Sequence, residues 1–171
     1  MLRDRLQKMT EVTDVSQHPA LLMQLTRDVK NSIRILESEY PIDKYTCVMH
    51  AFDFTEKPEY TKIASFGLGR IFAGGTFMHW LLARNYLAEV PQGNAGDLVF
   101  YFVNGQFKHV GIVGDRWRII SKWGIGHLYE HEVLEVPSSY GDEVRFYCAL
   151  PYANAYNYFV VFAEENGMQF E

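Results

Sequence analysis

The sequence predicts an α+β fold in which N-terminal helices pack on an antiparallel β-sheet. Three observations predict it. Apolar residues before position 90 recur at spacings of three and four, as on a helix face. After Pro91 the pattern turns strand-like and is punctuated by Asn-Gly, Gly-Asp and single glycines. The aromatic share is 15%, with 11 Tyr and 12 Phe, and such residues suit a large sheet. Helices first and a meander second is an α+β order.

Residues 1 to 12 read as a short amphipathic helix. Residues 17 to 38 read as a longer one, because Leu22, Leu25, Val29, Ile33 and Leu36 form a single stripe. Ser16 stands at its N-cap and Pro19 in its first turn, and Pro41 closes the segment. Asp43 and Thr46 are cap-type residues before Cys47-Val48-Met49-His50-Ala51-Phe52, so a helix is expected to begin near Cys47. Residues 53 to 75, with Pro58 and four glycines, read as irregular. Residues 76 to 89 read as a helix capped by Thr76.

Then GDLVFYFV, Asn104-Gly105 and QFKHVGIV give a β-hairpin, since Asn-Gly is the preferred type I′ turn. Phe107, His109, Gly111 and Val113 are expected on one face of the second strand, with Lys108, Val110 and Ile112 on the other. Gly114-Asp115 leads into a third strand, RWRIIS. Further strands are expected near 132 to 136, 143 to 149 and 157 to 163. The 171 residues suit one domain with its own core, made of a helical segment over 1 to 40 and a core over 41 to 171.

Composition excludes several function classes. The net charge is −5 and no Lys/Arg block occurs, so neither nucleic acid nor an anionic membrane is the expected partner. No apolar run approaches the roughly 18 residues that span a bilayer. The N-terminus MLRDRLQKMTEV lacks an apolar signal core, which implies a cytoplasmic protein or export without a Sec signal. Two cysteines make no disulfide framework and no CxxC site. His127 and His131 stand four apart, but no third ligand accompanies them, so no metal is expected.

Two residues carry the chemistry. A cysteine in the first turn of a helix meets free N–H groups that favour the thiolate and can receive an oxyanion; Cys47 has that place. Cys148, in FYCALP, reads as a core residue. His109, taken alone, reads as a core histidine. The pair in sequence changes this: a helix-start cysteine, then a Gly-Asp-led strand, then His-Val-Gly-Ile on the strand hairpinned to it.

In YTCVMHAF (45 to 52), GDLVFYF (96 to 102), KHVGIVG (108 to 114) and RIISKWG (118 to 124), the chain resembles the papain-like cysteine hydrolases of the NlpC and CHAP superfamily. The resemblance covers roughly half of the chain. It implies a papain-like core and thiol acyl transfer on amide bonds, commonly those of cell-wall peptides, with no metal or organic cofactor. Cys47 would be the nucleophile and His109 the base. Counting along the hairpin puts the third residue, which orients the imidazole, at Ser121, with Lys122, His127, Glu130 and His131 also in reach. The family places His, Asn or Gln there, and small residues after the cysteine where Val48-Met49-His50 stand. Tyr45 matches an aromatic near the oxyanion, and Trp123 and the tyrosine-rich 151 to 159 are candidates for a substrate groove. Expected partners are a peptide or amide substrate, a peptidoglycan fragment or a target protein. Two rivals stand beside the hydrolase: a deamidase or acyltransferase of toxin or effector type on the same site, and a non-catalytic binding module on the same scaffold.

Overall fold

The structure, a computed structural model, describes residues 1–55 and 75–167. Most of the stretch read as irregular, 53 to 75, lies outside them. Among the described residues the fold is α+β. The helices are α1 (Leu2–Thr10), α2 (His18–Asp28), α3 (Cys47–Ala51), α4 (Thr76–Ala83) and α5 (Tyr152–Glu165). The strands are β1 (Arg34–Leu36), β2 (Glu89–Val90), β3 (Leu98–Val103), β4 (Gln106–Val113), β5 (Ile119–Lys122), β6 (Leu128–His131) and β7 (Glu143–Tyr147). They form one antiparallel sheet in the order β1-β6-β5-β4-β3-β7-β2. No helix of the described residues is long and apolar enough to cross a membrane.

Each face of the sheet carries a core. On the first face Val48 and Met49 of α3, Phe77 and Leu81 of α4 and Phe159 and Phe162 of α5 pack with Leu98, Phe100 and Val110. On the second, Leu6 and Met9 of α1 and Leu22 and Leu25 of α2 pack with Val99, Tyr101, Val113, Ile119 and Tyr129. The β3–β4 turn has Asn104 at φ 49° and Gly105 at φ 74°, the two positive values that a type I′ turn requires.

Several expectations are corrected. The helix expected over 17 to 38 ends at Asp28. Val29 is extended, Asn31 binds the Val29 carbonyl and the Ile33 amide through its side chain, and β1 pairs with β6. The N-terminal segment therefore supplies an edge strand as well as helices. The helix expected over 76 to 89 ends at Ala83, since Asn85 adopts φ 55° and Glu89–Val90 joins β7; Gly75, with no side-chain bond, occupies the cap position expected of Thr76. The strand expected near 132 to 136 is β6, four residues earlier.

The strand expected at 157 to 163 is the helix α5. Its aromatic content suggested a strand, but Ala155, Phe159, Phe162 and Ala163 are buried at helical spacing behind Pro151. Cys148, expected in the core, is exposed just beyond β7.

A further difference bears on the site. The β3–β4 ladder pairs Tyr101 with His109 but Phe102 with Phe107, so Lys108 is the extra residue of a β-bulge. The bulge is held from outside the sheet, because the Phe107 N–H donates to His79 Nε2 at 3.1 Å. It moves Phe107 onto the first face with Val110, while His109 goes to the second.

Candidate active site

Cys47 opens α3, and Thr46 caps it by accepting the Met49 N–H at 3.3 Å. The helix has five residues, so it contributes individual amides more than a macrodipole. The backbone N–H groups of Val110 on β4, of Val48 and of Cys47 itself favour the thiolate electrostatically. The β4–β5 ladder ends at Ile112↔Ile120, short of Val110. Burial holds the Cys47 thiol above its ordinary value, and these amides and the positive charge of Lys122 offset that only in part.

The His109 backbone immediately precedes Val110 on β4. Its ring, however, lies on the second face. It stacks on Tyr140 with centroids 4.1 Å apart and planes at 16°, and leans on Tyr101 at 5.5 Å. Nε2 is buried with no hydrogen-bond partner among the described residues. Burial holds this histidine well below its ordinary value, with nearby His131 and His50 adding to the effect. The ring is therefore neutral, as a general base must be. Tyr140 is held over it from α1, whose Arg3 donates to the Val136, Pro137 and Gly141 carbonyls.

Ser121 is fully buried on the same face as His109 but is committed elsewhere. His131 Nδ1 donates to the Glu132 carbonyl at 2.7 Å, and burial lowers this ring to about 4, so it is neutral with Nε2 as an acceptor. Ser121 Oγ donates to that Nε2 at 2.8 Å and accepts the Trp123 indole N–H at 3.0 Å. The structure thus corrects the role given to Ser121: its hydrogen bonds go to His131 and Trp123, and what faces the imidazole is the ring of Tyr140. Trp123, 1% exposed and stacked on Tyr129 at 4.1 Å, is a core residue and no part of a groove. Residues 151 to 159 likewise belong to the start of α5, with Ala155 and Phe159 in the first core.

His127, Glu130 and Lys122 differ in what they face. His127 Nε2 bonds the Val15 carbonyl at 3.1 Å. Glu130 faces Arg118 and Arg34 at 3.5 and 4.0 Å. Lys122 is the one of the three whose charge acts on the thiol. Its side chain is 0% exposed, Nζ donates to the Gly124 carbonyl at 2.7 Å, and it lies 4.9 Å from the centroid of the Tyr45 ring. Burial lowers it to about 8 against the pull of Cys47 and Asp43.

Tyr45 is buried with its hydroxyl 2.6 Å from Ser38 Oγ. Its ring, with Tyr40, His50 and Ile112, lines a cleft of about 380 Å³ beside α3. His50 Nδ1 is buried without a partner among the described residues, and burial with the nearby Lys122 charge lowers the ring to about 4. Asp97, of the Gly-Asp pair, serves the turn into β3 by accepting the Asn94 N–H at 2.8 Å. Among the described residues no group of three or more His, Cys, Asp or Glu side chains is gathered so as to hold a metal ion.

Sequence reasoning gave Lys122 too small a place, though a signal existed. Alternation puts Lys122 on the face of Ile120, and the register carries it opposite Val110. The bulge at Lys108 had no such signal. Comparison of the chain with protein-family models, curated proteins and solved structures finds no match.

Proposed function

We propose that the protein is a thiol hydrolase of amide bonds, with Cys47 as nucleophile and His109 as the group that takes the thiol proton and returns it to the leaving amine. The observation that carries this reading is the setting of the Cys47 sulfur. Cys47 opens α3 behind the Thr46 cap, and the backbone N–H groups of Val110, Val48 and Cys47 itself favour its thiolate; amides so placed suit the oxyanion of a tetrahedral intermediate as well. His109 adjoins Val110 in the chain. The His109 ring stacks on Tyr140 on the face opposite α3, so this reading requires the ring to reach the thiol only when substrate fills the site. The cleft at Tyr45 has room for a short peptide segment, in keeping with the peptide substrates that the papain-like resemblance implies.

One observation favours a second reading, a non-catalytic binding module on the same scaffold: His109 Nε2 stands unpartnered while the ring is packed between tyrosines. Trapping separates the two. Because Cys148 is exposed, the background is Cys148→Ser. Peptide amides and peptidyl vinyl sulfones are offered, and the intact protein is weighed. Under the hydrolase reading an adduct forms on Cys47, is absent in Cys47→Ala and forms at least tenfold more slowly in His109→Asn, in line with the roughly 10²–10⁴-fold worth of a general base. An adduct that forms no faster than on a free thiol and is indifferent to His109→Asn sinks the enzyme. The mass of an acyl intermediate, and whether water or an amine resolves it, separates a hydrolase from a deamidase or acyltransferase.

A further inference from the structure

We propose that the cleft beside α3 binds a cationic side chain of a peptide, the ammonium of a lysine or the guanidinium of an arginine. The inference rests on the reading of that cleft as the seat of a peptide substrate and adds the class of side chain that it selects.

The cleft, of about 380 Å³, lies between the loop that follows β1 and the C-terminal end of α3. Glu37, Glu39 and Asp53 line it, and no lysine or arginine does so among the described residues. All three acids are exposed, and none of them forms an ion pair among the described residues. Its wall is aromatic. The rings of Tyr40 and Tyr45 meet edge to face, 6.5 Å apart at 75°, and the His50 ring lies 6.4 Å from that of Tyr45. Lysine and arginine bury themselves in this way, with the aliphatic stem along an apolar wall and the charged head at a polar rim. Aromatic faces add an attraction for the cation. The volume falls in the range of ligand pockets, about 300–1,000 Å³.

The fold holds the rim in place. Ser38 stands between Glu37 and Glu39. Its Oγ donates to the Tyr40 carbonyl at 2.7 Å and accepts the Tyr40 N–H at 3.3 Å. The one Ser38 proton being so used, the Tyr45 hydroxyl is the donor in its 2.6 Å bond to the same oxygen. One serine thus fixes both tyrosines and the backbone that carries both glutamates, which lowers the cost of ordering a bound ligand. Asp53 follows the C-cap Phe52 of α3 at φ 59°, where glycine is usual. It sets a carboxylate beside helix-end carbonyls, whose usual neighbours are cations. Local structure does not call for an acid there, and a cation in the cleft does.

Two further groups bear on the charge of the cleft. Burial lowers His50 to about 4, so its ring brings no positive charge near pH 7. The Lys122 ammonium lies 4.9 Å from the centroid of the Tyr45 ring. It is fully buried, does not line the cleft and donates to the Gly124 carbonyl. One ammonium against three carboxylates leaves the cleft negative, and a cation is the charge that complements it.

The test reads binding and not hydrolysis, and it uses the Cys47→Ala protein so that no probe is turned over. Acetylated tripeptide amides Gly-X-Gly, with X lysine, arginine, norleucine or glutamate, are titrated against the ¹H–¹⁵N shifts of the protein. The lysine and arginine peptides are expected to bind about tenfold more tightly than the norleucine peptide, with less difference at high salt. With Glu37→Gln, Glu39→Gln and Asp53→Asn combined, the preference should fall to about twofold and the norleucine affinity should stay. The proposal is overturned if lysine binds no better than norleucine, if glutamate binds best, if no peptide binds, or if the preference survives the triple substitution. If the triple variant does not fold, Glu37→Gln and Asp53→Asn are read singly, and a preference that neither lowers overturns it as well. A cation preference without an adduct on Cys47 in the trapping experiment fails only the hydrolase reading. An adduct that forms as fast from norleucine as from lysine peptides fails only the cleft.

Discussion

Lys122 and His109 sit on neighbouring strands, nearly opposite one another, and both are buried bases. Their surroundings differ because their side chains leave the sheet on opposite faces. On the second face three polar side chains satisfy one another, although His109 Nε2 beside them has no partner among the described residues: Trp123 donates to Ser121, Ser121 to His131, and His131 to the Glu132 carbonyl. On the first face three backbone amides and the charge of Lys122 favour one thiolate against the burial that opposes it. A closed network is what stability selects, because each buried polar group left unpaired costs free energy. Groups that favour a nucleophile's charged form are what chemistry requires. The second face thus holds the fold, and the first is the one equipped to act.

The largest expected effect breaks the second face. Trp123→Ala removes a side chain that is 1% exposed, stacks on Tyr129 and donates to Ser121. The loss of packing is expected to cost about 3–5 kcal/mol, read as a lowered urea midpoint with an unchanged slope. A cost below about 1 kcal/mol would mean that this layer is not the keystone of the fold.

The next effect is that of acid. His131 is buried neutral with its folded value lowered to about 4, and His109 is held well below the ordinary 6.5. For a histidine with a depressed folded value, the unfolded chain binds more protons at any pH between the two values. Stability is therefore full above about 6.5 and falls as the pH drops toward 4, by about 3 kcal/mol for His131 alone at about 1.4 kcal/mol per unit. Urea unfolding at stepped pH reads it. A flat stability between about pH 6.5 and 4.5 would show that these rings already exchange with water.

Ser121→Ala sharpens the comparison at a middle scale. It leaves the Trp123 N–H and His131 Nε2 unpaired, for an expected loss of about 1–3 kcal/mol. The pH profile of Cys47 alkylation by iodoacetamide should stay in place. Lys122→Met should do the reverse, moving the profile with little loss of stability, since an apolar side chain replaces a buried charge. If Ser121→Ala shifts the profile and Lys122→Met does not, the roles of the two faces are exchanged.

What the sequence made legible follows from the range of the forces involved. The type I′ turn at Asn104-Gly105, the helix start after Thr46 and the antiparallel meander are local, and local residues specify them. The end of α2 was not legible, because a side chain of Asn31 and pairing with β6 override an apolar stripe that continues to Leu36. α5 was not, because its aromatics suit either element and only packing against α4 and β3 decides. At the site, the place of Cys47 at a helix start and of His109 on the second hairpin strand were legible through the cap and the turn. The face of His109 relative to Phe107 was not, since one bulge residue, Lys108, changes parity and leaves no mark in composition. Counting from His109 leads to Ser121 as the third partner; counting from Val110, whose amide favours the thiolate, leads to Lys122.

The smallest expected effect tests whether α3 serves the thiol or only the fold. Thr46 Oγ1 accepts the Met49 N–H in a helix of five residues, where one cap is a large part of what fixes the first turn. Thr46→Ala is expected to cost about 1 kcal/mol, and Thr46→Ser should recover most of it. The first turn also places the Cys47 and Val48 amides that favour the thiolate. Loosening it should therefore raise slightly the pH at which the thiol ionises, with a two- to threefold slower alkylation near pH 7, on the order of 0.5 kcal/mol. Alkylation that follows stability through Ala and Ser ties the cap to the nucleophile. Stability that falls while alkylation stays constant would mean that the Val110 amide and Lys122, both on the sheet, favour the thiolate without the helix.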